Sequence, residues 1–194
     1  MTIPEYLELE RTSDMKHEYF AGTIYAIVGG SVQHNLITGN TYASLHAQLR
    51  KRNCNVFPSD MRVKAVQTGL YTYPDITVVC GQRQFEDERE DTLVNPIVII
   101  EVLSPSTESY GRGKTFQNYR TMLLLREYIL IAQDDYRVEH YARQSDNTWV
   151  LSEVVDLHDR VELTSIQCVL ALADIYEKVE IAADDDNNIP DQND

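Results

Sequence analysis

Hydrophobic positions recur at two spacings, which predict both helices and strands. After Ser31, apolar residues lie three or four positions apart, as on one face of an amphipathic helix. Ser31 is a suitable N-cap, and Asn53 follows the last apolar position, so we predict a helix from Ser31 to about Arg52. Other predicted helices are Ile3–Glu10, about Tyr110–Leu124, and one from Ser165 or Ile166 to Lys178.

The strongest strand signal is the apolar run from Ile97 to Leu103. It lacks period-two alternation, so we expect a strand buried on both faces that ends before Pro105. The other predicted strands are a hairpin over Tyr19–Val28, an extended segment Cys54–Ala65, a strand Tyr71–Cys80, a pair Arg126–Ala132 and Tyr136–Arg143, and a strand Thr148–Val154. This interleaving of helices and strands favours an α/β domain around a mixed central β-sheet flanked by helices.

Charge changes the picture of possible partners. The 194 residues carry a formal net charge of -14. The segment 180–194 contains six acids and no Lys or Arg, which leaves the rest of the chain at -8. We expect a domain over residues 1–178 and a disordered acidic tail over 179–194. An acidic body counts against general nucleic-acid binding unless basic residues cluster locally or divalent cations intervene.

Cysteine use and apolar runs bear on location. No apolar run reaches the roughly 18 residues that span a bilayer, and the N-terminus lacks a basic region followed by an apolar core. Three widely spaced cysteines, Cys54, Cys80 and Cys168, predict neither a disulfide framework nor a zinc site. We therefore expect a cytoplasmic protein with no membrane partner.

Two carboxylates carry the most chemical information. Glu101 interrupts the buried apolar run, and an unpaired buried carboxylate costs several kcal/mol, about the desolvation penalty of an ion. Either Glu101 lies at the end of the strand, where the chain leaves the core, or a cation, a salt bridge or a metal offsets its charge. Asp75 follows Pro74 at the start of another Val/Ile-rich strand. If the two strands are neighbours, both acids can reach one Mg²⁺ or Mn²⁺ ion.

Competing motifs are weaker. Gly111-Arg112-Gly113-Lys114-Thr115 ends like a phosphate-binding loop but lacks the earlier glycine. His34, on the long helix, is either a phosphate-contacting or water-contacting residue or an ordinary hydrogen-bonded histidine.

The acids belong to a longer ordered set of motifs. Pro74-Asp75 followed by Glu101 in a buried strand resembles the PD-(D/E)XK nuclease superfamily. The whole set is similar to the Uma-two (Uma2) family of restriction-endonuclease-like proteins over roughly residues 1–178. Its members here are Lys16-His17-Glu18-Tyr19, Gly22-Thr23-Ile24-Tyr25, Ser31 with His34, Pro58-Ser59-Asp60-Met61-Arg62-Val63, Tyr73-Pro74-Asp75, Ile100-Glu101-Val102-Leu103-Ser104-Pro105-Ser106-Thr107 and Arg126-Glu127-Tyr128.

The resemblance implies a restriction-endonuclease-like core and roles for specific residues. Asp75 and Glu101 would hold Mg²⁺ or Mn²⁺ together with the backbone carbonyl of Val102, and Glu18 would be an auxiliary acid. DNA would be the substrate, and the protein would form a homodimer.

The resemblance also requires a lysine near the attacking water. The superfamily position for it is occupied by Leu103, and the family pattern Y-D-R-G-x-K-F meets Gly111 and Thr115 where Asp and Lys are expected. Lys114 is one residue away, about 100° round a helix, and Lys64 is the second candidate.

Three hypotheses follow. The leading one is a Mg²⁺-dependent endonuclease acting on DNA, with Asp75, Glu101, Glu18 and Lys114 as catalytic residues. The second is a catalytically degenerate binding or assembly protein on the same fold, which the displaced lysine and the acidic body favour. The third is a metal-dependent hydrolase acting on another phosphate ester.

Overall fold

The structure is a computed structural model that describes residues 1–104 and 111–181. Its helices are α1 (Ile3–Glu10), α2 (Val32–Leu49), α3 (Phe116–Tyr119) and α4 (Leu172–Ile175), with a π-helical turn, Gly111–Thr115, directly before α3. Its strands are β1 (His17–Phe20), β2 (Thr23–Ala26), β3 (Cys54–Pro58), β4 (Arg62–Ala65), β5 (Leu70–Thr72), β6 (Ile76–Cys80), β7 (Thr92–Leu93), β8 (Val98–Leu103), β9 (Glu127–Ala132), β10 (Val138–Arg143), β11 (Trp149–Val154), β12 (Arg160–Leu163) and β13 (Cys168–Ala171).

The described strands form three sheets. The six-stranded central sheet has the order β11-β10-β9-β8-β6-β3, in which only β8 and β9 run parallel. A five-stranded sheet has the order β2-β1-β5-β4-β7, and β12 pairs with β13. The central sheet is thus mixed and helices pack on it, which confirms the predicted α/β class.

β8 lies in the middle of the central sheet, between β6 and β9. Its residues Val98 and Ile100 pack into one core with α2, whereas Ile99 and Leu103 pack into a second core on the opposite face. The prediction that this strand is buried on both faces is therefore confirmed. Because side chains alternate along a strand, Glu101 shares the second face with Ile99 and Leu103 and points toward the five-stranded sheet.

A network of ion pairs ties α1 to the segment before β7. Asp91 lies 2.7 Å from Nε of Arg11 and 2.9 Å from Nη2 of the buried Arg62. Burial alone would raise the pKa of Asp91, but hydrogen bonds from Arg11 and Thr92 and the charge of Arg62 outweigh it and lower this pKa to about 2. This carboxylate is therefore stabilised in its charged form.

Most predicted elements are present. α1, the hairpin β1–β2, α2 and the strands β9, β10 and β11 are confirmed within one to three residues at their ends. The single strand predicted over Tyr71–Cys80 is wrong, because β5 ends at Thr72 and β6 begins at Ile76. Pro74 has no N–H to donate to a ladder, and at this break the chain passes from the five-stranded sheet into the central one.

Of the two later predicted helices, the first is present over residues 111–119 but ends five residues early, and the second is largely wrong. The first ends at Tyr119, so Leu123 and Leu124 lie in an exposed turn, and its predicted start at Tyr110 lies outside the described residues. The segment predicted as a closing helix begins instead with β13 and contains only the short α4, while β12 was not predicted. The apolar positions of β13 alternate, since Cys168 and Leu170 are buried and Val169 is exposed. Over four residues, a strand period of two is hard to distinguish from helical spacing.

The cysteine prediction is wrong for one pair. Cys54 and Cys80 form a disulfide, and only Cys168 is free. The antiparallel register of β3 and β6 places Cys54 directly opposite Cys80, with 4.0 Å between their Cα atoms. Sequence spacing does not show register, so this contact could not be predicted from the chain alone.

The segment predicted as a tail begins with packed residues. Val179 is buried and Ile181 packs against the core that contains α2, so the first residues of the predicted tail are packed. Residues 182–194, the rest of that tail, lie outside the described part. No helix in residues 1–104 or 111–181 is long and apolar enough to cross a membrane.

Candidate active site

The two predicted metal carboxylates lie side by side. β6 and β8 pair antiparallel with Ile76 opposite Ile100, so the next position along places Asp75 opposite Glu101. The backbone N–H of Asp75 is 3.3 Å from Oε2 of Glu101, and the N–H of Val102 donates to Oδ2 of Asp75 at 2.7 Å. The break at Pro74 thus leaves Asp75 directly before the first residue of β6, facing its partner acid.

Glu101 is held by a buried tyrosine. The hydroxyl of Tyr119, which is fully buried on α3, donates to Oε1 of Glu101 at 2.8 Å. Burial raises the pKa of Glu101 well above its usual value, and the charge of Asp75 adds to this shift. Burial and the nearby charge of Glu101 also raise the pKa of Tyr119, so its hydroxyl remains a donor. Charge on Glu101 is therefore costly without a nearby cation.

Glu18 lies near Asp75 and Glu101 but belongs to the five-stranded sheet. It lies on β1, next to β5, where the hydroxyl of Thr72 donates to its Oε1. Thr72 Oγ1 is also 3.3 Å from the hydroxyl of Tyr119, so a chain of polar contacts runs from Glu18 to Glu101. Burial raises the pKa of Glu18 more than the hydrogen bond from Thr72 lowers it.

His34 contacts Asp75 from the first turn of α2. Ser31 caps this helix by accepting a hydrogen bond from the His34 backbone at 3.0 Å, which fixes where the ring emerges. The ring Nε2 is 3.2 Å from the Asp75 carboxylate, and this contact raises the pKa of His34 more than burial lowers it. Gly30 permits this packing, because a Cβ there would lie 2.6 Å from the ring Nδ1.

A cleft of about 840 Å³ brings these groups together. Glu18, His34, Asp75, Glu101 and Val102 all line it. The cleft is bordered by both large sheets and by the N-terminal turn of α2, so it lies where three parts of the fold meet.

The predicted lysines lie elsewhere. Lys114 is exposed on the π-helical turn and does not line the cleft, whereas its neighbour Thr115 does. Lys64 Nζ forms an ion pair of 2.5 Å with Glu86 and lies over the ring of Tyr71, also away from the cleft. The structure thus brings together three of the four predicted catalytic residues and leaves Lys114 outside.

Three residues at the site were missed as candidates. Lys16 lines the cleft, while Thr72 and Tyr119 connect Glu18 to Glu101. Lys16 carried a usable signal, because it lies two positions before Glu18 and therefore on the same face of an extended segment. Tyr119 carried none, since its contact with Glu101 depends on how α3 packs.

The carboxylate pair has the chemistry of a divalent-cation site. Mg²⁺ is commonly bound by one or two carboxylates, with waters and substrate phosphate completing its shell, and Asp75 and Glu101 can supply these two. Within the described part of the chain, no set of three or more His, Cys, Asp or Glu side chains is arranged to hold a metal. Asp75 and Glu101 are therefore suited to a cation whose remaining ligands would be water and substrate oxygens.

This chain is similar in sequence to a known family and to two proteins of one Synechocystis strain. Residues 3–173 match the Uma2 family model, which is described as "Putative restriction endonuclease". Two proteins of Synechocystis sp. (strain ATCC 27184 / PCC 6803 / Kazusa), described as "Uncharacterized protein sll1609" and "Uncharacterized protein slr1290", are each 36% identical to this chain. The matches cover 84% of this chain and 93% of the first protein, and 89% of both this chain and the second.

A solved structure supports the fold independently. It is described as "a putative nuclease belonging to DUF820 from Anabaena variabilis ATCC 29413" and superposes with a TM-score of 0.75 over 91% of this chain and 97% of that one. At 20% identity, this likeness shows the fold alone. The family match extends over β1, β6 and β8, the elements that place Glu18, Asp75 and Glu101. By its sequence, this chain belongs to the Uma2 family, whose model is described as "Putative restriction endonuclease".

Proposed function

We propose that this chain is a Mg²⁺- or Mn²⁺-dependent endonuclease that hydrolyses DNA phosphodiester bonds in the cleft. The observation that supports the proposal most directly is the pairing of Asp75 with Glu101 across β6 and β8. Two adjacent carboxylates, one of them largely enclosed, repel each other when both are charged, and a cation bound between them would offset this repulsion. Family membership and fold point to the same reaction class.

Asp75 and Glu101 would hold the cation, and the carbonyl of Val102 remains a predicted further ligand. When bound, a divalent cation lowers the pKa of a coordinated water and neutralises charge on a phosphate. Tyr119 keeps Glu101 oriented toward the cleft through its 2.8 Å hydrogen bond. His34 holds the Asp75 carboxylate at 3.2 Å, and Glu18 adds a third negative group near the pair.

One observation favours the degenerate binding or assembly protein instead. Lys114 is exposed outside the cleft, so the lysine expected beside the attacking water does not come from the predicted position. A protein of this kind would keep the fold and the acid pair but would cleave no DNA. The two proposals therefore differ in a single measurable property, the metal-dependent turnover.

Plasmid nicking tests the proposal. Purified full-length protein is incubated with supercoiled plasmid and Mg²⁺ or Mn²⁺, and the wild type is compared with Asp75→Asn and with Asp134→Asn, an exposed aspartate on the β9–β10 turn. We expect Asp75→Asn to slow nicking at least 100-fold, about 3 kcal/mol of transition-state stabilisation, and Asp134→Asn to leave it unchanged. Equal rates for the wild type and Asp75→Asn would refute the assignment and support the degenerate protein.

We further propose a homodimer, in which two clefts would face two DNA strands. Exposed apolar side chains after α3, Leu123 at 70% and Leu124 at 48%, supply a candidate contact surface. Light scattering after size-exclusion chromatography measures the mass directly. A mass near 22 kDa at micromolar concentration would exclude the dimer.

A further inference from the structure

The charges that line the cleft are strongly unbalanced. Among residues 1–104 and 111–181, four carboxylates line it, from Asp14, Glu18, Asp75 and Glu101. Every Lys and Arg of the sequence falls within the described residues, and among them only Lys16 lines the cleft. A DNA phosphate that enters this cleft therefore meets a single permanently cationic side chain.

The fold places Lys16 on the same side as the acids. It directly precedes β1, and its carbonyl accepts a hydrogen bond of 2.9 Å from Ile27, which extends the β1–β2 pairing by one position. Alternation along this segment puts Lys16 and Glu18 on one face, while His17 and Tyr19 pack toward α1 on the other. The position of the Lys16 ammonium group on the side of the acids thus follows from the register of β1 with β2.

The present partners of Lys16 are weak competitors for it. Its Nζ lies 2.7 Å from Oδ1 of Asp60 and 3.1 Å from the carbonyl of Ser59, and 5.6 Å from the centre of the Tyr73 ring. The Asp60 side chain is 86% exposed, and exposed ion pairs contribute about 0–1 kcal/mol. A phosphate can replace this carboxylate at little cost.

We propose that Lys16 is the DNA-binding cation of the cleft, and that its ammonium group exchanges Asp60 for a backbone phosphate held beside the acid pair. This inference rests on the proposed DNA substrate. It assigns Lys16 a direct substrate contact. It also assigns Asp60 an opposing effect, because this carboxylate competes with the phosphate for the same ammonium group.

DNA binding by the full chain tests the assignment. Fluorescence anisotropy of a labelled 20-base-pair duplex is recorded in Ca²⁺ over a series of salt concentrations for the wild type, Lys16→Ala, Lys16→Arg and Asp60→Asn. The matched control is Lys51→Ala, which removes an exposed lysine after α2, outside the cleft lining. Melting temperatures of all variants show that each is folded.

We expect Lys16→Ala to weaken binding about 3- to 10-fold and to reduce the slope of log K against log salt by about 0.9, the loss of one phosphate contact. Lys16→Arg should keep the wild-type slope, and Asp60→Asn should tighten binding about 2-fold, since a competing charge is gone. Lys51→Ala should change neither the affinity for DNA nor the slope of log K against log salt.

The outcomes separate this inference from the proposed function. If metal-dependent nicking is present but Lys16→Ala binds with the wild-type slope, the lysine assignment is wrong and the nuclease proposal stands. An equal loss of slope in Lys51→Ala and Lys16→Ala would also overturn it. A wild type that neither binds nor nicks DNA would overturn both.

Discussion

Tyr119→Phe is expected to destabilise the protein because it removes a donor from a buried carboxylate. The phenylalanine ring fills the same space, so the packing of a fully buried residue is kept while the hydrogen bond of 2.8 Å to Glu101 and the 3.3 Å contact with Thr72 are lost. Hydrogen bonds to charged groups contribute about 1.5–3 kcal/mol, and unfolding is measured in excess Mg²⁺, because a bound cation would keep Glu101 charged despite its raised pKa. We therefore expect the free energy of unfolding to fall by that amount and the melting temperature by about 3–12 °C.

Tyr128→Phe is the matched control. Tyr128 is also fully buried, and its ring centre is 5.3 Å from that of Tyr119. Within the described part of the chain, its hydroxyl donates to the carbonyl of Gly111 at 3.3 Å. Loss of a neutral hydrogen bond costs about 0.5–1.5 kcal/mol, so this variant should lie closer to the wild type in urea unfolding.

A double-mutant cycle isolates the interaction itself. In a Glu101→Gln background the charge that Tyr119 stabilises is absent, so Tyr119→Phe should cost at least 1 kcal/mol less there than in the wild type, about the coupling of residues in contact. Urea midpoints at unchanged m-values supply all four free energies. If Tyr119→Phe costs no more than Tyr128→Phe, or costs the same in both backgrounds, the charge-assisted contact does not exist as described.

Two further predictions concern stability away from the cleft. Asp91→Asn should lower the free energy of unfolding by about 1–2 kcal/mol at pH 7, discounted for partial exposure. The difference should shrink in urea titrations as pH falls from 4 toward 2, because the folded pKa of Asp91, about 2, lies below its ordinary 3.8. A constant difference would refute the ion-pair account. Cys54→Ser should lower the free energy of unfolding by about 3 kcal/mol in the absence of reductant, because it removes a disulfide between cysteines 26 residues apart. Thiol titration of the unfolded wild type before reduction should find one reactive thiol, that of Cys168. Three reactive thiols would refute the disulfide.

Sequence patterns predicted the parts of the site that depend on local chemistry. The uninterrupted apolar run around Glu101 required a strand buried on both faces, and the structure has it at the centre of the main sheet. Pro74-Asp75 marked a strand start, although not the break that separates β5 from β6. A proline signal is compatible with either, so the sequence alone did not decide between them.

Contacts set by register and packing could not be predicted. The opposition of Cys54 and Cys80 follows from the pairing of β3 with β6, and nothing in a 26-residue spacing specifies that pairing. Alternation places Lys16 on the same face as Glu18, but its being the lysine of the cleft depends on Lys64 and Lys114 lying elsewhere. Such a comparison needs the positions of all three lysines.

The break at Pro74 explains why the acids converge at all. Thr72 ends β5 in the five-stranded sheet and Asp75 precedes β6 in the central sheet, so three residues carry the chain from one sheet to the other. Glu18 lies on the five-stranded sheet, and Glu101 lies on the central sheet. Because Tyr119 contacts both Thr72 and Glu101, the polar chain closes only when the two sheets are packed together. The carboxylate cluster is therefore a product of tertiary packing between sheets, and a continuous strand across Pro74 would have kept Asp75 and Thr72 in one sheet.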